Sequence, residues 1–118
     1  MLKVYQCEQC KKVILTKEAL SLEGWKEVVA GSVDAAQEKH VPVVTKKCKT
    51  VNVNVGSVTH PMTEEHLIEW VALETEKGYQ VQYLKANEAP EVTFKLADGD
   101  KAVAVYAYCN LHGLWMSE

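Results

Sequence analysis

Hydrophobic and polar positions alternate along most of the second half of the chain. Lys49–Val55 reads K-T-V-N-V-N-V, which puts Val51, Val53 and Val55 on one face and Asn52 and Asn54 on the other. That period of two predicts a half-buried strand. Tyr79–Lys85 sets Tyr79, Val81 and Tyr83 against Gln80 and Gln82, and Glu91–Leu96 sets Val92, Phe94 and Leu96 against Thr93 and Lys95. Lys101–Cys109 alternates small residues with Val103, Val105 and Ala107, and Asp98-Gly99 before it is a hairpin signal. His40–Val44 adds a short β-branched piece with a proline in it. Short strands at close spacing, separated by turn residues, predict an all-β chain built as an antiparallel β-sandwich.

One segment resists the pattern. Thr63–Gly78 has a capping threonine, Glu64 and Glu65 in a first turn, and Lys77-Gly78 as a stop. Local rules favour a helix there. The strand reading of the same residues is apolar on both faces, with Leu67, Val71 and Leu73 on one and Ile68, Trp70 and Ala72 on the other. The first 33 residues form a third region, with Cys7-Glu-Gln-Cys10, a short apolar piece at Val13–Leu15 and a second at Glu27–Ala30. We read residues 1–33 as a small appended β module that needs a staple or a partner surface, and residues 34–118 as the main domain.

Composition narrows the function. The chain has 118 residues, a net charge of −3 and no arginine. Bidentate phosphate and guanine contacts are largely arginine chemistry, so a nucleic-acid partner is not expected. No apolar run is long enough for a membrane span, and the first residues lack the apolar stretch of an export signal. The expected location is the cytoplasm.

The candidate chemistry lies in four histidines and four cysteines. Cys109-Asn-Leu-His112 is a C-x-x-H spacing that lets one turn offer a thiolate and an imidazole to one metal, and Gly113 after it suits a tight loop. His60 precedes Pro61, which biases it toward extended backbone. Cys109 also fits as a buried small hydrophobe, and lone histidines are often satisfied core or surface residues. Composition and spacing leave both readings open.

Four local words carry a resemblance. Glu38-Lys39-His40-Val41-Pro42, Gly56-Ser57-Val58-Thr59-His60-Pro61-Met62, Glu65-His66-Leu67-Ile68-Glu69-Trp70 and Tyr108-Cys109-Asn110-Leu111-His112-Gly113-Leu114-Trp115 occur in this order. Together they resemble the superoxide reductases of the desulfoferrodoxin and neelaredoxin family. The resemblance implies an immunoglobulin-like seven-stranded antiparallel β-sandwich that holds one mononuclear iron. It implies His40, His60, His66 and His112 as equatorial ligands and Cys109 as the axial thiolate. It implies one-electron reduction of superoxide to hydrogen peroxide with electrons from an external donor, rubredoxin in the family. It also makes Leu67–Glu74 a strand after a helical turn near Thr63–His66, against the local rules. Homodimers or higher homo-oligomers are the family's assemblies.

By the same resemblance Lys39 steers the anionic substrate and orders a proton-delivering water, and Glu38 is the carboxylate that occupies the sixth position on ferric iron. The family's two-iron members carry a second site with C-x-x-C and a later cysteine pair. Cys7 and Cys10 match the first half, but Val28-Val29-Ala30-Gly31 stands where the pair would fall, so a complete four-cysteine iron site is not expected. Cys48 lies at no expected ligand position. The rival from another class is a cupredoxin-like electron carrier, because Cys109, His112 and Met116 read C-x-x-H-x-x-x-M. It leaves two histidines unexplained. A third reading is a binding module with a degenerate site.

Overall fold

The computed structural model describes residues 1–118. Ten strands and one short helix follow in the order β1 (Lys3–Cys7), β2 (Val13–Thr16), β3 (Trp25–Val28), α1 (Gln37–His40), β4 (Pro42–Lys47), β5 (Thr50–Val55), β6 (Ile68–Thr75), β7 (Tyr79–Tyr83), β8 (Glu91–Lys95), β9 (Ala102–Cys109) and β10 (Gly113–Ser117). They make three sheets, ordered β2-β1-β3, β10-β9-β6-β7 and β4-β5-β8, with every pairing antiparallel. No helix is long and apolar enough to cross a membrane.

The last two sheets face each other as a seven-stranded sandwich. The alternating residues do what their period requires. Val51, Val53 and Val55 of β5 and Val92 and Phe94 of β8 point into one core with Ile68, Val71, Leu73, Val105, Ala107 and Cys109 of the opposite sheet. Burial of each large apolar side chain among these contributes about 1.5–3 kcal/mol.

The N-terminal sheet is the third layer. Leu2 and Val4 form a second core with Trp70, Ala72, Ala104, Tyr106, Tyr108 and Leu114, on the outer face of the four-stranded sheet. That sheet is therefore covered on both sides. The covering explains β6, whose eight residues are all buried except Glu69. A strand with two buried faces loses its alternation and imitates a helical pattern. Residues 68–75 are a strand, as the family resemblance implied and local rules did not. A register irregularity between Ile68 and Trp70 turns Ile68 onto the same core as Val71 and Leu73, so it does not share Trp70's face as simple alternation predicts.

Glu74 is buried under the third layer. It accepts from the Tyr106 hydroxyl at 3.0 Å and lies 3.5 Å from the Lys17 ammonium. Burial works against its charge, but hydrogen bonds from the Leu2 backbone and Tyr106, with Lys17 and the N-terminal ammonium, outweigh that and hold its carboxyl below the usual range. The N-terminal sheet thus brings its own counter-charges to the interface.

Two expected features differ. Asp98-Gly99 is not a hairpin turn, because β8 pairs with β5 and β9 pairs with β6 and β10. It is a crossing between sheets, where Gly99 takes a φ of +77° and Lys49 pairs with Asp98. Thr63–His66 is a tight bend and not a helical turn: the Thr63 N–H donates to the His66 carbonyl, and the His66 N–H donates to Thr63 Oγ1 at 3.1 Å.

Candidate metal centre

Three loops and one strand end meet at one edge of the sandwich. His40 ends α1, whose Ala36-Gln-Glu-Lys run favours a helical turn. Val41, in extended backbone before Pro42, stops it. His60 closes the loop after β5, where its N–H donates to the Val55 carbonyl at 3.1 Å. His66 leaves the bend just before β6. Cys109 is the last residue of β9, and His112 sits in the turn into β10.

The four imidazoles form a closed ring. Neighbouring centroids are 4.7 Å apart for His40–His60 and for His60–His66, 5.1 Å for His66–His112 and 4.9 Å for His112–His40. Each of these pairs is edge-to-face, with interplanar angles from 75° to 90°. The pair across the ring, His40–His66, is the longer one at 6.5 Å and the most nearly coplanar at 33°. This is the arrangement of four corners around a centre.

The donor atoms point inward. His40 Nδ1 donates to the Ala36 carbonyl at 2.6 Å, which leaves Nε2 free, 3.1 Å from His112 Nδ1 and 3.3 Å from His60 Nε2. His60 Nδ1 donates to the Pro61 carbonyl at 2.6 Å, which frees its Nε2 in the same way. A carbonyl partner on the far nitrogen fixes the tautomer and raises ligand basicity. Cys109 Sγ lies 3.9 Å from His112 Nδ1. The donor atoms of His40, His66, Cys109 and His112 are all within 4.8 Å of one another. His60 stands just outside that group and joins it through His40.

His66 Nε2 carries the diagnostic. It is the one buried side-chain nitrogen or oxygen in the chain with no hydrogen-bond partner. Leaving such an atom unpaired costs about 1–3 kcal/mol. A cation at the centre of the ring would satisfy it, and the donor set of imidazoles and one thiolate suits a borderline transition metal.

Electrostatics agree. Burial, offset in part by the Pro61 carbonyl, and the like charges of His40, His66 and His112 push the His60 imidazole down to about 4. Burial, then His112, His40 and Lys39, lower His66 as well. Both imidazoles are thus neutral at pH 7, as ligation requires. Burial pushes the Cys109 thiol up, against the amide N–H groups of Leu111 and His112, which favour the thiolate. A bound cation inverts that balance.

A pH prediction follows for the metal-free chain. The folded pKa of His60 lies below its ordinary value of 6.5. Between about 6.5 and 4 the unfolded chain binds the proton that the folded chain refuses. Stability is full above that window and is lost as pH falls through it. Thermal melts of metal-free protein at pH 7 and pH 4.5 are expected to show a lower Tm at the acidic value. Equal Tm values would contradict the neutral buried imidazole.

Three residues brace the centre and were given no role from sequence. Trp115 stacks on His40 at 5.0 Å, and its Nε1 donates to the His112 carbonyl at 3.1 Å. Asn110 ties the bend at His66 to the Cys109–His112 turn: its Oδ1 accepts from the Leu67 N–H at 3.1 Å, and its Nδ2 donates to the Glu65 carbonyl at 3.0 Å. Gly56, at φ +74°, packs directly against the Glu38–Lys39 backbone. Trp115 and Asn110 stand inside the ligand word, which was their only sequence signal. Glu38 and Lys39 are exposed, and Lys39 is close enough for its charge to act on His66. The Glu38 carbonyl accepts from the Val58 N–H at 2.8 Å, while its carboxylate is outside the close donor group.

The comparisons with known proteins agree with this geometry. Residues 32–118 match the family model described as Desulfoferrodoxin. A protein named desulfoferrodoxin from Syntrophotalea carbinolica is 41% identical over 99% of this chain and 96% of its own length. The crystal structure of the superoxide reductase from Treponema pallidum superposes with a TM-score of 0.82 at 46% identity, over 89% of this chain and 93% of that one. A one-iron superoxide reductase from Giardia intestinalis gives a TM-score of 0.58 at 32% identity, over 68% of this chain and 95% of its own.

Proposed function

The chain belongs to the desulfoferrodoxin family, and from that membership we propose that it is a superoxide reductase. It reduces superoxide by one electron to hydrogen peroxide at a single mononuclear iron. The observation that carries the reading is the closed ring of four imidazoles with the Cys109 sulfur beside it and one buried nitrogen left without a partner. His40, His60 and His66 would hold the iron through Nε2, His112 through Nδ1, and Cys109 through its thiolate. Bound there, iron supplies the electron, which zinc, without a redox couple, would not. Held by five protein donors, the iron would stay accessible to a small anion.

The chain's own residues do the rest. The Ala36 and Pro61 carbonyls hold the His40 and His60 tautomers, and Asn110 and Trp115 hold the loops that carry the other ligands. Lys39 places a positive charge beside the ring in a protein whose net charge is −3. It draws the anionic substrate inward and orders a water that gives up a proton. Glu38, its exposed neighbour, would be the carboxylate available to the iron from outside the ring.

Lys39→Ala is expected to lower the rate of superoxide reduction about tenfold at low salt and to flatten its ionic-strength dependence. Pulse-radiolysis rates over a salt series would check it. An unchanged rate at low salt would remove Lys39 from the reaction.

Residues 1–33 act as an accessory sheet on the 34–118 catalytic domain. Rubredoxin is the proposed electron donor, a homodimer or higher homo-oligomer the proposed assembly, and the cytoplasm the proposed location. The four unpaired cysteines fit a reducing compartment. Metal analysis of purified protein tests the iron assignment. About one iron per chain supports it, whereas copper with an intense thiolate band would favour the cupredoxin-like reading.

A further inference from the structure

Cys7 and Cys10 lie outside the metal centre, in the turn that leaves β1. The turn is built around one sulfur. The Cys10 N–H donates to Cys7 Sγ at 3.3 Å, and the Lys11 N–H donates to the Cys7 carbonyl at 3.0 Å. Lys11 takes a φ of +63°, and the Cys7 N–H donates to the Lys12 carbonyl at 2.9 Å, which closes the turn toward β2. Cys7 is half-buried and Cys10 exposed, and both thiols are free. Hydrogen bonds from the Cys10 side chain and amide, against a smaller burial effect and with help from the Gln9 and Lys11 amides, hold the Cys7 thiol below its ordinary value. Residues three apart in such a turn have Cα atoms within about 7 Å, which is disulfide reach.

A cleft lies between the N-terminal sheet and the ligand turn, lined by Gln6 and Lys11 together with Asn110, Leu111 and Gly113. No other cysteine occurs between Cys10 and Cys48, so β2 and β3 offer the two sulfurs no thiolate partner.

We propose that Cys7 and Cys10 form a peroxide-reactive dithiol that intercepts the hydrogen peroxide released at the metal centre. The Cys7 thiolate attacks one peroxide oxygen and the O–O bond breaks. The other oxygen leaves as water after taking a proton, and Cys7 becomes a sulfenic acid. The Cys10 thiol then attacks that sulfur, the S–O bond breaks, and a second water leaves as the Cys7–Cys10 disulfide forms. Two thiols give up two electrons and two protons, and one peroxide becomes two waters. Only the source of the peroxide rests on the proposed reductase activity.

The test uses the full chain with added hydrogen peroxide, so its outcome is independent of superoxide reduction. Reduced protein receives one equivalent of peroxide, and the thiols are followed by alkylation and peptide mass mapping. Cys7 is expected to be lost at least about tenfold faster than the exposed Cys48, with a Cys7–Cys10 disulfide as the product. In Cys10→Ser a dimedone adduct should collect on Cys7. Superoxide reduction by Cys7→Ser should stay within about twofold of the parent. Cys7 loss no faster than Cys48 loss, or a disulfide between chains, would overturn the proposal. So would a tenfold fall in superoxide reduction by Cys7→Ser, which would put the pair in the main electron path.

Discussion

Replacing Cys109 by serine is expected to erase the thiolate-to-ferric-iron charge-transfer colour and to cut superoxide reduction by more than about a hundredfold. Loss of an outer-shell partner already costs about 10–100-fold in such sites, and Cys109 is the only sulfur in the donor group. The residue ends β9 with no exposure, so the side chain cannot turn away to water. A serine hydroxyl at that point stays neutral where the thiol is drawn to ionise by the cation. The folded sandwich should survive, because the change removes little volume from the core. Absorption spectra of the oxidised proteins decide the matter. A surviving band in Cys109→Ser would mean that another cysteine supplies the sulfur.

Gly56→Ala is expected to damage the centre without touching a donor. A Cβ at Gly56 would overlap the Glu38 carbonyl oxygen and lie 2.6 and 2.7 Å from the Lys39 backbone carbons. These are backbone atoms, so no side chain can swing aside. The φ of +74° adds strain for any residue with a Cβ. The α1 segment must retreat, and His40 goes with it. We expect about 2–4 kcal/mol of lost stability together with a lower iron content. Urea denaturation and metal analysis of the variant would measure both. Parent-like stability with full iron would show that the α1 segment does not depend on that close approach.

Much of this was written in local sequence, and what was not depends on contacts between distant segments. The alternation of Val51, Val53 and Val55, and of Val92 and Phe94, announces strands covered on one face, and the structure has them so. β6 was opaque because the N-terminal sheet covers its second face, and nothing inside residues 63–78 reports that cover. Asp98-Gly99 has the residues of a hairpin turn, but pairing is decided by which strands lie beside it, and here they belong to different sheets. The five candidate ligands could be picked out because they stand in four short words, Cys109 and His112 sharing one. Gly56 could not, since its role is a contact with residues nearly twenty positions away. The stacking of Trp115 on His40 is likewise a meeting of two distant loops.

The most direct test of the reductase assignment is the stoichiometry of the reaction itself. Iron-loaded, reduced protein is mixed anaerobically with superoxide, with an external electron donor present, and peroxide and dioxygen are both measured. The Cys7→Ser variant is used for the peroxide count, because the proposed dithiol would consume part of the product while the metal centre is unchanged. Reduction predicts one hydrogen peroxide for each superoxide consumed and no dioxygen formed by the protein. Release of one dioxygen for every two superoxide consumed would make the protein a dismutase and contradict the assignment.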